Sequence, residues 1–266
     1  MKTTLGIFLN IYLFALLALT LVISHDPTHR TPVVAEKRYG PTPDFSVIKN
    51  VKEKKQRFFN YFAPIVADEN QRILQHRETL KPIYSKLLRN RKLSMNEIRL
   101  VDEYAESYKI KPQDDKAQQL AKTLDRANAV PVSLALAQAA NESAWGTSRF
   151  ATQGNNFFGQ WCFNKGCGLV PRQRGAHSSH EVRVFNNAAE SVKAYIRNIN
   201  THAAYEGLRQ LRAQAEKEGM LASGSLLAEG LLSYSERGHA YVDEIQSMIE
   251  INQLDSLDPN GQIGTR

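Results

Sequence analysis

The sequence predicts a mainly helical (α+β) fold carrying one small β-hairpin lobe, and three observations predict it. Apolar residues recur at three- and four-residue spacings over most of the stretch from Phe45 to Ile251. Helix-start signals such as Ser94-Met95-Asn96-Glu97 stand among them. Strand-like alternation is confined to residues 168–173 and 180–185. With 266 residues, 42% of them apolar, the chain can bury a sizeable core. The expected organisation is a signal peptide or N-terminal membrane anchor (1–24), a linker (25–46), a basic helical extension (47–111), a principal domain (112–254) and a tail (255–266).

Residues 5–23 are almost uninterrupted apolar, broken by Gly6, Asn10 and Thr20. Such a run is long for a signal-peptide core and just long enough to span a bilayer. Val22-Ile23-Ser24 offers no small-x-small cleavage site, which favours a retained anchor, and either reading exports the chain. Four prolines (Pro27, Pro32, Pro41, Pro43) and Gly40 then make an extended tether. From Phe45 the spacing of Phe45, Ile48, Val51, Phe58, Phe59, Phe62, Ile65 and Val66 is helical, with Pro64 and Pro82 punctuating the run. The capping box at Ser94 starts another helix, carrying Ile98, Val101 and Tyr104.

Charge is uneven along the chain. Residues 27–111 hold 18 Lys and Arg against 10 Asp and Glu, whereas residues 112–266 hold 15 against 16. The densest patch, Lys49, Lys52, Lys54, Lys55 and Arg57, suits an anionic cell-wall polymer or lipid headgroups. No nucleic-acid motif accompanies it, so nucleic acid is not the expected partner.

Between Pro131 and Gly146 the sequence predicts a helix of about four turns. Leu134, Ala135, Ala137 and Ala139 make it apolar almost all round, as a helix buried among helices is. One carboxylate, Glu142, sits in its last turn. Burial and the negative end of the helix dipole both favour its protonated form, which is what a general acid needs. Trp145, Asn155, Asn156, Phe158 and Trp161 follow in a glycine-punctuated stretch. Flat rings stack on the apolar face of a pyranose and amides bond its hydroxyls and N-acetyl group, so this assembly reads as a sugar site.

LALAQAANESAWGTSRFA (134–151), followed by NNFFGQWCF (155–163), resembles the signature of the peptidoglycan-cleaving β-N-acetylglucosaminidases of glycoside hydrolase family 73. With GCGLVPRQR and NTHAAYEGLRQLR the pattern is most similar to the Bax-like branch, over roughly residues 113–252. The resemblance implies a lysozyme-like helical domain with a β-hairpin lobe over the cleft, and Glu142 as the catalytic acid. Tyr205, Tyr234 and Tyr241 match positions where the family keeps aromatics, and the resemblance implies a sugar contact from a tyrosine near the cleft, with Tyr234 ranking first because it precedes a glycine-containing loop, and Tyr205 beside it. Asn141 departs from the pattern, where an apolar residue is usual.

Cys162 and Cys167 enclose a four-residue turn that a disulfide closes in an oxidising compartment. His177 and His180 have HxxH spacing without a helix or an acidic partner at metalloprotease spacing, so neither a metal nor a cofactor is expected. Glu181 is the sole carboxylate between Glu142 and Glu190. If the lobe supplies a second carboxylate to hold water, as the resemblance implies, Glu181 is the candidate; the alternative is an ordinary exposed strand residue. Asn187 to Glu190 caps a further helix with Val192, Tyr195, Ile196 and Ile199 on one stripe, and more helices follow to Ile251.

The expected activity is endo-β-N-acetylglucosaminidase action on peptidoglycan glycan strands in the envelope. Lytic transglycosylation on the same fold and a non-catalytic glycan-binding scaffold are the alternatives.

Overall fold

A computed structural model describes residues 39–172 and 179–258. The apolar segment 5–23, the linker as far as residue 38, residues 173–178 and residues 259–266 lie outside the described residues. Among the described residues no helix is long and apolar enough to cross a membrane.

Nine α-helices and a small sheet are found among the described residues. Helix α1 (Val51–Leu88) is followed by α2 (Met95–Ser107), α3 (Lys116–Arg126), α4 (Val132–Glu142) and α5 (Arg149–Gly154). Strands β1 (Trp161–Cys162), β2 (Gly168–Leu169) and β3 (Glu181–Arg183) precede α6 (Ala188–Thr201), α7 (Glu206–Lys217), α8 (Gly224–Ala228) and α9 (His239–Ile251). The fold is mainly helical with a small β lobe, as the spacing predicts.

Helix α1 runs unbroken through Pro64 and Pro82, both expected to interrupt it. Both prolines are exposed, as are Asn60 and Glu78, whose carbonyls lose their helical donors where solvent is at hand. The opposite face buries Phe58, Phe62, Ile65, Val66, Ile73, Leu80 and Ile83. Burying each such side chain is worth about 1.5–3 kcal/mol, so the stripe outweighs the roughly 3 kcal/mol that an interior proline costs. The first half of α1 packs into the main core with α4, α6 and α9; the second half closes a smaller core with Val101, Tyr104 and Leu120.

Helix α4 is the central element. Every residue from Val132 to Ala140 is buried. Buried Asn70 of α1 fixes its approach, donating to the Val130 carbonyl (2.7 Å) and accepting from the Val130 amide (3.0 Å). Asp258, in the stretch assigned to the tail, accepts from the Ser133 amide (2.9 Å) and satisfies a donor of the first turn. Residues 40–46, from the stretch expected as a linker, lie against this core: Tyr39 just ahead of them donates to Asp68, Thr42 meets Tyr61, and Phe45 is buried against Phe58 and Phe62.

The lobe has three strands where a two-stranded hairpin was expected. They are antiparallel in the order β1-β3-β2, with Trp161 opposite Val182, Cys162 opposite Glu181 and Gly168 opposite Arg183. β1 is two residues long, too short to show alternation in a sequence.

Candidate active site

Helix α4 stops at Glu142, one turn short of the expected Gly146. Ala144, Trp145 and Gly146 all take positive φ (50°, 60° and 76°), which no α-helix continues through. The Ser143 hydroxyl donates to the Ala139 carbonyl (2.6 Å) and accepts from the Gly146 amide (2.8 Å), closing the turn. Gly146 is required here: a Cβ would lie 2.4 Å from the Phe45 ring. Glu142 therefore stands at the mouth of a buried helix.

Its carboxyl has one hydrogen-bond partner among the described residues, the Tyr241 hydroxyl, which donates to Oε1 (2.9 Å). Oε2 lies beside Gly159, where a Cβ would approach it to 3.4 Å, and the positive φ of Gly159 (65°) suits glycine alone. Burial raises the Glu142 pKa above the usual carboxylate range. The Tyr241 bond and the charge of Arg237 oppose that rise, and the charge of Glu244 adds to it. The result is a carboxyl biased towards its protonated form with one oxygen held and the other beside an open glycine.

Tyrosines surround it. Tyr234 stacks on Tyr241 (5.3 Å between centroids, 10° between planes), Tyr205 packs at a tilt on Tyr234, and Tyr195 stacks on Phe158 (4.0 Å, 9°). The Tyr234 hydroxyl donates to the Phe158 carbonyl (2.9 Å), pinning the 155–160 loop from the side of α9. From within, buried Asn156 pins it again. Its amide donates to the Gln160 and Arg183 carbonyls (2.9 and 2.8 Å), and its oxygen accepts from the Phe158 and Gln160 amides (3.3 and 3.1 Å). Asn155 closes α5 in the left-handed region and donates to the Phe185 and Asn186 carbonyls. Both amides thus bond the protein's own backbone, and Phe158 is buried, so all three shape the loop.

Trp145 also points into protein. It packs edge-on against Phe58 (5.8 Å) and Phe59 (5.3 Å) of α1, with the Lys55 ammonium 4.9 Å above its ring. Trp161 is different: 58% exposed, it stacks on His180 (4.1 Å, 14°) and presents an open aromatic face on the lobe. Beside it Gln160 carries the one buried side-chain oxygen without a hydrogen-bond partner among the described residues.

Cys162 and Cys167 are joined by a disulfide, with Cα atoms 6.2 Å apart. Glu181 is buried beneath this turn, and its two oxygens accept from the Gly166 amide (3.0 Å) and the Gly168 amide (2.8 Å). Glu181 and the two sulfurs form the one group of three metal-ligand residue types found among the described residues, all within 4.8 Å. With the sulfurs bonded to each other, no thiolate pair is on offer. In the basic patch, Lys49 and Lys52 are exposed, Lys54 is half-buried, Arg57 pairs with Glu53 (2.8 Å), and Lys55 donates to Asn252 (3.3 Å).

The bonds that two residues bring to the site escape the sequence reading. Tyr241, which the resemblance singles out only as an aromatic position, falls on a stripe with Ile245 and Ile249, and its bond to Glu142 has no sequence signal. Gln138, one turn before Glu142, is fully buried and bonds both Tyr241 and Tyr195; a lone amide in an apolar run was the available signal.

The sequence profile of the glucosaminidase family, described as mannosyl-glycoprotein endo-beta-N-acetylglucosaminidase, matches residues 118–254. Protein bax of Escherichia coli (strain K12) is 31% identical over 212 residues, which cover 79% of this chain and 74% of that protein.

Proposed function

The chain belongs to the glucosaminidase family, and from that premise we propose that it hydrolyses the β-1,4 bonds of peptidoglycan as an endo-β-N-acetylglucosaminidase, with Glu142 as its acid. One observation carries the assignment: Glu142 is a carboxyl that burial biases towards protonation, at the mouth of α4, with Oε1 held by Tyr241 and Oε2 beside Gly159. A carboxylic acid so placed protonates the departing glycosidic oxygen.

Glu181 serves the lobe in this reading. Its two oxygens hold backbone amides of the disulfide turn, which suits a clamp better than a holder of water. Glu244, the other carboxylate whose charge reaches Glu142, is paired with Arg237 (2.6 Å). The attack on the anomeric carbon then falls to the acetamido oxygen of the substrate, with water resolving the intermediate. Trp161 offers its exposed face to a pyranose. Tyr205 and Tyr234 shape the wall behind Glu142. The substrate class carries an envelope location, for which the apolar segment 5–23 would serve as signal or anchor, and the basic patch of Lys49, Lys52 and Lys54 would face anionic polymer or lipid.

Digestion of purified peptidoglycan tests this reading, with product ends read by mass spectrometry. New reducing N-acetylglucosamine ends, abolished by Glu142→Gln, are expected. Anhydro-muramic ends would replace the proposal with transglycosylation, and binding without products would make the chain a scaffold.

A further inference from the structure

The buried polar groups behind Glu142 form a single directed series. The Tyr195 hydroxyl donates to Gln138 Oε1 (2.6 Å), Gln138 Nε2 donates to the Tyr241 oxygen (2.9 Å), and the Tyr241 hydroxyl donates to Glu142 Oε1 (2.9 Å). Tyr195, Gln138 and Tyr241 are all at most 2% exposed, so water does not offer them alternative partners. Their order is self-consistent at each step. Gln138 presents its amide N–H to Tyr241, so the Tyr241 oxygen acts as acceptor on that side and its own proton must turn to Glu142. The Gln138 amide is in turn held in that orientation because its oxygen receives the Tyr195 proton. Hydrogen bonds aligned head to tail in this way polarise one another.

Resting on the reading of Glu142 as the acid, we propose that Gln138 and Tyr195 are positioning residues: acting through Tyr241, they lock a donor onto Oε1 of Glu142 and leave Oε2 as the oxygen that carries the transferable proton. Three elements outside the 155–160 loop build the device, since Gln138 and Glu142 lie one turn apart on α4, Tyr195 comes from α6 and Tyr241 from α9. Oε2 is the oxygen beside Gly159, which a Cβ there would approach to 3.4 Å. The hydroxyls stay protonated at working pH, because burial raises the ionisation of Tyr195 and Tyr241 well beyond that of a free phenol. The other charged or titratable groups facing Glu142 are Glu244 and Arg237, paired with each other, and Tyr205 and Tyr234. None of them donates to its carboxyl.

A donor on a carboxylate favours the ionised form, so weakening the series must raise the pH at which Glu142 loses its proton. The test measures that titration directly, by 13C NMR of the Glu142 carboxyl, beside the pH profile of kcat/KM on peptidoglycan. Tyr241→Phe should move the Glu142 titration up by about one pH unit. Gln138→Met should move it the same way by less, and Tyr195→Phe by least, with KM unchanged in all three. The basic limb of the activity profile should follow the titration in each variant. Tyr195→Phe retains the ring and its stack on Phe158, so it answers the question even if Gln138→Met fails to fold. A Glu142 titration that does not respond to Tyr195→Phe and Tyr241→Phe in folded protein overturns the proposal. If the titration moves while no variant, nor the wild type, cleaves glycan, the series stands and the functional reading falls.

Discussion

Replacing Glu181 separates a clamp from a base. Its carboxylate accepts two backbone amides, from Gly166 and Gly168, in the turn that the Cys162–Cys167 disulfide closes. Hydrogen bonds to a charged group contribute about 1.5–3 kcal/mol each. Gly166 is exposed, so water satisfies its amide once the carboxylate is gone, whereas the half-buried Gly168 amide has less access. Glu181→Ala should therefore cost about 2–3 kcal/mol, felt chiefly within the lobe because the disulfide still closes the turn. Hydrogen exchange should show Gly168 and its neighbours losing protection while α4 and α6 keep theirs. Activity should fall by less than about tenfold, through looser placement of Trp161, with both limbs of the pH profile intact. A general base makes the opposite forecast: a loss on the order of 10²-fold or more in kcat, and disappearance of the acidic limb. Measuring kcat across pH for Glu181→Ala and Glu181→Gln, beside exchange protection, decides it. A hundredfold loss in kcat with unaltered protection would refute the clamp.

Three further outcomes follow from the geometry. Because folding raises the Glu142 pKa, its protonated form supports the fold below the ordinary carboxylate range, and this support is lost as pH rises through the raised value; Glu142→Gln should thus raise Tm at pH 7 and change it less at pH 4, by calorimetry. Phe45→Ala removes a buried ring packed against Phe58, Phe62 and Gly146, and should cost about 3–5 kcal/mol in denaturant unfolding. Trp161→Ala removes an exposed platform and should weaken co-sedimentation with insoluble peptidoglycan while leaving Tm within about a degree or two of wild type.

How much of this was legible depends on what each residue answers to. Glu142 stands out because a single carboxylate in an apolar helix has few physical justifications, and that reasoning needs no knowledge of the neighbours. The capping residues Ser94 and Asn187 are equally local, and both cap as expected. The prolines of α1 mislead because their local cost is outweighed by a buried stripe that the rest of the chain creates. Asn155 and Asn156 are visible as amides the loop requires, yet nothing local says that their partners are carbonyls at 160, 183, 185 and 186. Tyr241 is the hardest case, since a tyrosine on a core stripe has the same pattern whether its hydroxyl is idle or bonded to Glu142.

The end of α4 ties these levels together. Ala144 and Trp145 are held at positive φ without being glycines, a conformation that costs of order 1 kcal/mol or more each and persists only where surroundings enforce it. What enforces it is visible: the Ser143 hydroxyl bridges the turn, Phe45 packs on Gly146, and Trp145 is gripped by Phe58 and Phe59. Were this turn relaxed to helix, Glu142 would no longer end α4. The grip comes from Phe45 and α1, residues that precede the matched segment 118–254. The placement of Glu142 therefore draws on a helix outside the matched segment 118–254, and loosening that helix should disturb the position of Glu142 along with the fold.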